Sequence, residues 1–448
     1  MSKFKYIDLF CGIGGFHQAM QRLDGKCVFA CDINVACREV YKNNFCPNGE
    51  FPLEGDIKKS IKEGTIPEFD VLCGGFPCQT FSKAGKRTGF GTGQDENGND
   101  TIIDDRGQLF YRIVDILKEH SECKYVILEN VRNLADNEEN WKVVCNELKE
   151  LDFVITEKPI IESPHNFGIP QVRDRVYILG VKRDFIDGRR KRSMKEGYIT
   201  RDLLGIDSHL VNCRDNSIDT ILDEVVDEKY YLSEDLCSLL DAWQEFKDGV
   251  DQMYTPIWLH KMGIGIKTRE EYISDEKIGY EDMPKWKQAL VMKSRKTYEN
   301  NMEFIDKWVK RHDMLSKSLL HQKFEWNVGT DCDSIKEGII QIRQSGIRLK
   351  RPNYYPSLVA MSNTPIIWDK RIEKYRYITP KEAARLQSFD DDYQFSDSDS
   401  ITYRQLGNSV NVQLIEWFAE GLFKLGMSFN SAEYNRKLRR EAKYGKED

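Results

Sequence analysis

Tyr6-Ile7-Asp8-Leu9-Phe10-Cys11-Gly12-Ile13-Gly14-Gly15-Phe16 opens the chain with an apolar run, a cluster of glycines and a return to apolar residues. This pattern predicts a short strand, a tight turn and a helix reaching about Leu23. Glycines at such a turn let a ligand approach the backbone closely at a helix N-terminus, where unpaired N–H groups gather. The stretch departs from the dinucleotide fingerprint, because His17 stands where a third glycine is needed; a nicotinamide enzyme is disfavoured. Cys27 to Asp32 reads as a second strand ending in a carboxylate, about 20 residues past the glycines, the distance at which a ribose-binding acid is expected. Asp32 equally suits the cap of a helix starting near Asn34.

Strand and helix continue to alternate. Phe69-Asp70-Val71-Leu72-Cys73 is an apolar run that delivers Gly74-Gly75-Phe76-Pro77-Cys78-Gln79-Thr80-Phe81-Ser82 to a sheet edge. Pro77 and the two glycines hold Cys78 in a rigid, non-helical turn, a geometry that suits a nucleophile. A lone cysteine more often packs as a small hydrophobe, so its role depends on the rest of the chain. Lys83 to Asp105 has little periodicity and predicts a long loop, either a lid or a surface insertion. The apolar spacing of Leu109, Ile113, Ile116 and Leu117 predicts a helix against the sheet. Tyr125 to Val131 is an apolar strand carrying Glu129, which must be paired or placed at a ligand edge. An acid kept protonated by apolar surroundings can donate a proton. Arg173 and Arg175 enter a later strand at alternate positions, which predicts that both face one side. The rhythm of these elements predicts a parallel α/β sheet with ligands at the C-terminal ends of its strands.

At 448 residues the chain is long enough for two lobes, and 40% hydrophobic with 31% charged residues describes an ordinary globular protein. Twelve cysteines without a CxxC pair point to a reducing compartment and away from structural zinc; no metal site is expected. No apolar run approaches the roughly 20 residues of a membrane span, and the N-terminus lacks a signal-peptide core, so a cytoplasmic location is expected. A net charge of −7 argues mildly against nucleic acid, although local basic clusters override a global balance.

Taken together, the sequence resembles the C5-cytosine DNA methyltransferase family of bacterial restriction-modification type. The resemblance rests on DLFCGIGGF (Asp8 to Phe16), GGFPCQTFS (Gly74 to Ser82), ENV (Glu129 to Val131), QVRDR (Gln171 to Arg175), TPKEAARLQSF (Thr379 to Phe389) and GNSV (Gly407 to Val410), in that order. It spans roughly residues 4 to 185 and 370 to 425. It implies a Rossmann-like methyltransferase sheet with helices on both faces and a smaller, variable target-recognition domain. The implied cofactor is S-adenosylmethionine, converted to S-adenosylhomocysteine and held by Phe10, Gly12, Gly14, Gly15, Asp32, Ile33, Asp56, Ile57, Pro77, Leu109, Asn408 and Ser409. The implied catalytic set is Cys78, Glu129, Arg173 and Arg175, acting on a cytosine flipped from duplex DNA, with the loop after Ser82 as its clamp.

The expected domains are a catalytic and cofactor-binding part (1–181), a target-recognition part (182–369), a C-terminal return to the catalytic part (370–428) and a charged tail (429–448). Expected DNA contacts are Gln79, Ser82, Lys83 and Arg87 in the nucleophile's loop, and Arg343, Arg348, Lys350 and Arg351, with Tyr354 and Tyr355, in the middle. Lys285 to Lys323 reads as helical. Thr379, Pro380 and Glu382 predict a capped helix start, and Val412 to Leu425 a further helix. The expected partners are double-stranded DNA and a separately acting restriction endonuclease; a monomer, associated with the nucleoid, is expected. The rival functions are a tRNA methyltransferase with the same motifs, which the long middle interval disfavours, and a non-catalytic DNA-binding relative, which retention of Cys78 and Glu129 disfavours.

Overall fold

The computed structural model describes residues 2–77, 92–94, 100–102, 109–194, 197–212, 216–358 and 364–429. Cys78, Gln79, Ser82, Lys83, Arg87 and the tail from 430 onward lie outside the described residues. The chain divides into two compact units. The first comprises residues 1–216, 358–360 and 383–448, and the second 217–357 and 361–382.

In the first unit, strands β1 (Phe4–Leu9), β2 (Gly25–Cys31), β3 (Leu53–Glu54) and β4 (Val71–Gly74) precede a small antiparallel hairpin, β5 (Thr92–Gln94) with β6 (Asp100–Ile102). That hairpin stands within the stretch the sequence predicts as loop. Strands β7 (Tyr125–Val131), β8 (Phe153–Ile155), β9 (Ile160–Glu162), the short β10 (Gln171–Val172) and β11 (Arg175–Lys182) follow. The main sheet runs β3-β2-β1-β4-β7-β11-β8, with β9 also on β11. From β3 to β7 all neighbours are parallel, whereas β11 pairs antiparallel with β7, β8 and β9. The expected parallel sheet is therefore mixed. After the helix Glu138–Glu150 the chain inserts no further α-helix before β11, and strands joined without such a crossover pair antiparallel. Helix Leu109–Glu119 buries Phe110, Ile113, Val114, Ile116 and Leu117 in the core that also takes Leu72, Val126, Leu128 and Ile178. Residues 182–216, which the sequence reading gives to the middle part, are fastened to this unit by the bridge between Thr156 and Ile199 and by the Asp187 N–H, which donates to the Leu425 carbonyl at 3.0 Å.

The second unit is built on a sheet of strands β12 (Ile257–Trp258), β13 (Lys323–Trp326), β14 (Ile339–Arg343), β15 (Gly346–Lys350), β17 (Ile366–Asp369) and β18 (Lys374–Tyr377), in the order β12-β13-β15-β14-β17-β18; the short β16 (Tyr355–Pro356) stands outside it. Its core packs Trp243, Phe246 and Trp308 on one sheet face, Trp243 stacking on Phe324 at 4.8 Å. The polar stretch from Lys285 becomes the helices Lys285–Asn300 and Met302–Arg311 followed by β13. Arg295 is fully buried there, between the rings of Tyr272 and Tyr298. It donates to the carbonyls of Gly263 (3.1 Å) and Ile266 (2.9 Å) and to Glu299 (2.8 Å). Arg376, also buried, donates to Asp369 (2.9 Å) and to both oxygens of Glu382 (2.8 and 2.9 Å). Glu382 in turn accepts the Thr379 N–H at 2.7 Å while Thr379 Oγ1 accepts the Glu382 N–H at 3.1 Å, completing the expected capping box. Among the described residues no helix is long and apolar enough to cross a membrane, and no group of metal-ligating side chains assembles.

Candidate active site

The glycine turn is shaped by its neighbours on every side but one. Phe10, Gly12 and Gly14 all take positive φ (55°, 53° and 84°), so the chain reverses sharply between β1 and the helix Gly15–Arg22. A Cβ on Gly14 would strike Phe45 at 2.2 Å, and one on Gly15 would strike Val410 and Ser409 at 2.8 and 2.9 Å. These contacts fix glycine at both positions and bring the GNSV segment against the turn. At Gly12 a Cβ would meet nothing within 4 Å. The turn thus leaves open space where its backbone can receive a ligand.

Asp32 borders that turn. Its carboxylate accepts the Gly12 N–H at 2.8 Å and the Asn34 N–H at 2.7 Å, and Arg38 donates to its carbonyl at 2.6 Å. Burial raises its pKa, and the two N–H bonds pull the other way. The helix that follows is capped by Asn34, whose side chain accepts the Cys37 N–H, so Asp32 is not the cap. Ile33, beside it, is 83% exposed. Such a large apolar side chain left open next to a fixed carboxylate suits a ligand with a flat apolar face and a diol. Asp56 caps the helix Ile57–Glu63 through the Lys58 N–H (2.9 Å), while Ile57 and the half-buried Leu109 belong to the core cluster. Asn408 is exposed at the end of its helix, and Ser409 is buried with its hydroxyl on the Val410 carbonyl.

A second group of residues gathers around Glu129 on β7. Tyr177 of β11 is its cross-strand partner, and Arg175 Nε lies 2.9 Å from Oε1 in an ion pair that lacks hydrogen-bond alignment. Burial raises the Glu129 pKa against the pull of Arg175 and then Arg173. The carboxyl therefore holds its proton to higher pH than an ordinary glutamic acid. A Cβ on Gly75 would sit 3.8 Å from Glu129 Oε2, so the segment leading to Cys78 passes close beside this acid.

Arg173 and Arg175 do not share a side. Arg173 precedes β11 and turns inward, where its guanidinium donates to the carbonyls of Leu358 (2.9 Å), Gly407 (3.0 Å) and Ser409 (2.7 Å). The alternation argument fails because β11 begins at Arg175, and the chain between β10 and β11 is not extended strand. Arg173 holds the GNSV segment by its main chain, which makes it a positioning residue; Arg175 alone reaches the acid.

Asn130 escaped the sequence reading. Buried at the end of β7, it donates from Nδ2 to the Phe76 carbonyl at 3.1 Å and accepts the Val131 N–H at 2.8 Å. It ties down the backbone two residues ahead of Cys78. The signal was present, since a buried amide closing an apolar strand requires partners. Of the middle residues singled out from sequence, Arg351 is paired with Asp331 at 2.5 Å and Arg348 with Glu325 at 2.6 Å.

The family model for C-5 cytosine-specific DNA methylases matches residues 4–424. The chain belongs to the C-5 cytosine-specific DNA methylase family. It is a DNA (cytosine-5)-methyltransferase, an enzyme class whose methyl donor is S-adenosylmethionine. Among similar methylases is the type II methyltransferase M.BanI of Aneurinibacillus aneurinilyticus, 30% identical over 94% of this chain and 96% of that protein. The type II methyltransferase M.HpaII of Haemophilus parainfluenzae is also 30% identical, over 92% of this chain and 87% of its own length. In fold, this methylase is similar to the crystal structure of the S. pombe Dnmt2 methyltransferase (TM-score 0.52, 18% identity, 94% of this chain and 98% of that one).

Proposed function

We propose that this methyltransferase modifies C5 of a cytosine flipped out of a specific duplex DNA sequence, through a covalent bond between Cys78 and C6, and protects DNA from a separate, cognate restriction endonuclease. The observation that carries the reading is Glu129: a buried acid whose pKa burial raises, beside the segment leading to Cys78 and flanked by Arg175.

Cytosine C5 is a weak nucleophile. Addition of the Cys78 thiolate to C6 pushes electron density toward N3 and C5, and the ring becomes enamine-like. Glu129 supplies a proton or hydrogen bond at N3, and Arg175 steadies Glu129 and the base carbonyl O2. Asn130 fixes the Phe76 carbonyl and with it the approach of the thiol. Bound at the glycine turn, S-adenosylmethionine supplies an electrophilic methyl group. The residues present fit it: open backbone at Gly12, the Asp32 carboxylate for the ribose hydroxyls, the Ile33 side chain for the adenine, and the Gly15–Ser409 contact closing the methionine end. After methylation, loss of the C5 proton and elimination of the thiolate free Cys78 and leave 5-methylcytosine. None of these ring atoms is reachable inside a stacked duplex, so the base is unstacked at a cost of a few kcal/mol. The first unit carries this chemistry and the second reads the target.

Cys78→Ser is expected to abolish methyl transfer to duplex DNA while S-adenosylmethionine still binds. Bisulfite sequencing of DNA from cells expressing each form reads activity and target together; full 5-methylcytosine in the serine variant overturns the assigned role. Methyl transfer to tRNA in place of duplex DNA would overturn the substrate.

A further inference from the structure

Across β13, β15 and β14 the sheet of the second unit turns one face to the aromatic core and gathers charged side chains on the other, and the strand registers assign each residue to its side. Ile340, Ile342, Ile347 and Leu349 alternate into the core with Phe324. On the opposite face Gln341 pairs with Arg348, Arg343 with Gly346 and Ile339 with Lys350, while Glu325 of β13 lies beside Arg348. Three cations and one carboxylate thus share a patch three strands wide, spanning about 10 Å at ordinary strand spacing.

The four charges are not equivalent. Glu325 Oε2 accepts the Nε–H of Arg348 at 2.6 Å and an N–H of the Asn327 amide at 3.1 Å, and the arginine–carboxylate pair is half-buried. Bonded through Nε, the guanidinium is fixed in plane with both terminal amino groups unspent. This is the arrangement that donates two parallel hydrogen bonds to the O6 and N7 of guanine. Arg343 and Lys350 have no ion pair or side-chain hydrogen bond among the described residues. Burial lowers the pKa of both, and their cationic neighbours lower it further. Crowding cations that repel one another on a sheet is unfavourable unless an anion joins them. Gln341, 6% exposed, leaves Oε1 without a partner in the same patch.

We propose that Arg348, oriented by Glu325, is a specificity-determining residue that reads a guanine in the target sequence, and that Arg343 and Lys350 are its flanking phosphate contacts. This deepens the reading of the second unit as the part that meets DNA, and rests on it. Base reading and phosphate neutralisation leave different signatures, because only the first depends on sequence and only the second sets the salt dependence.

The experiment compares the full-length wild type with Arg348→Lys, Glu325→Gln, Arg343→Gln and Lys350→Gln. Bisulfite sequencing of a methylated library with randomised target sites gives each preference, and DNA affinity against salt concentration gives each slope. Arg348→Lys is expected to relax one guanine position by on the order of 10- to 100-fold while the other positions hold. Glu325→Gln should relax that same position, a signature that general destabilisation would not produce. Arg343→Gln and Lys350→Gln should keep the sequence preference and each reduce the magnitude of the log–log salt slope by about 1. An unchanged preference in Arg348→Lys, or relaxation at unrelated positions in the two acid and arginine variants, overturns the guanine assignment. Unchanged slopes overturn the phosphate contacts. A wild type that methylates no duplex DNA would instead sink the function proposed above.

Discussion

Buried carboxylates are treated in opposite ways by the two units. In the first, Asp8 is wholly buried with a long 3.4 Å hydrogen bond from Tyr41 on Oδ2 and, among the described residues, no well-formed partner on Oδ1, and Glu129 meets Arg175 without a well-aligned hydrogen bond. In the second, Asp369 and Glu382 are saturated by Arg371, Arg376 and main-chain N–H groups. An incompletely satisfied buried acid destabilises its surroundings as an anion; one surrounded by donors fastens elements together. The difference separates acids whose pKa burial raises from a joint held together by ion pairs and main-chain hydrogen bonds.

The sharpest way to break this comparison is Glu129→Gln, which keeps the shape and removes the transferable proton. Turnover on duplex DNA is expected to fall about 10²- to 10⁴-fold with cofactor affinity nearly unchanged. Equal loss of both would mean that Glu129 is part of the scaffold after all. Next in size, Arg376→Met removes the cation bonded to both oxygens of the buried Glu382 and one of the two bonded to Asp369, and should lower unfolding free energy by about 3–5 kcal/mol in urea titrations. Asn130→Ala releases the Phe76 carbonyl, a loss of about 1–3 kcal/mol; the rate of covalent adduct formation should drop well before S-adenosylmethionine binding does. Smallest of all, Asp8→Asn should change stability by less than about 1 kcal/mol at neutral pH, because burial raises the pKa of the carboxyl well above its ordinary value and the amide keeps its shape without a charge to desolvate.

Titration sharpens the same contrast. Burial acts to raise the Asp369 pKa, but the hydrogen bonds from Arg371 and Arg376 prevail and hold it at about 2, below its ordinary 3.8. Its folded value lies below its unfolded one, so the stability it contributes is present above pH 3.8 and is lost as pH falls through about 2. Asp8 and Glu129 are raised, chiefly by burial, so their contribution is complete in acid and fades as pH rises through their folded values. Asp369→Asn should therefore flatten the decline in stability between pH 3.8 and about 2, measured by chemical unfolding at each pH.

Much of the local architecture is legible in the sequence. The glycine turn, the strand ending at Asp32, the apolar strand bearing Glu129 and the Thr379 capping box follow from local patterns, because turn chemistry and burial periodicity act over a few residues. Arg173 was misread for the complementary reason. Alternation describes strand residues, and where a strand begins depends on the partners that pair with it. Its ties to residues 358, 407 and 409 join positions about 185 or more residues apart, which no local pattern encodes. Asn130 was overlooked because its acceptor, the Phe76 carbonyl, is 54 residues away.

The sequence by itself determined the chemistry available: a thiol following a Gly-Gly-Phe-Pro stretch, an acid on an apolar strand and a glycine bend suited to a cofactor. Tertiary structure alone decided the state of those groups. Desolvation, which raises the Glu129 pKa, arises only when strands and helices from distant parts of the chain exclude water from around it. The split between Arg173 as an anchor and Arg175 as a partner of the acid, and the gathering of Arg343, Arg348 and Lys350 around one carboxylate, likewise come from strand pairing, which sets side chains from separate segments on a common face.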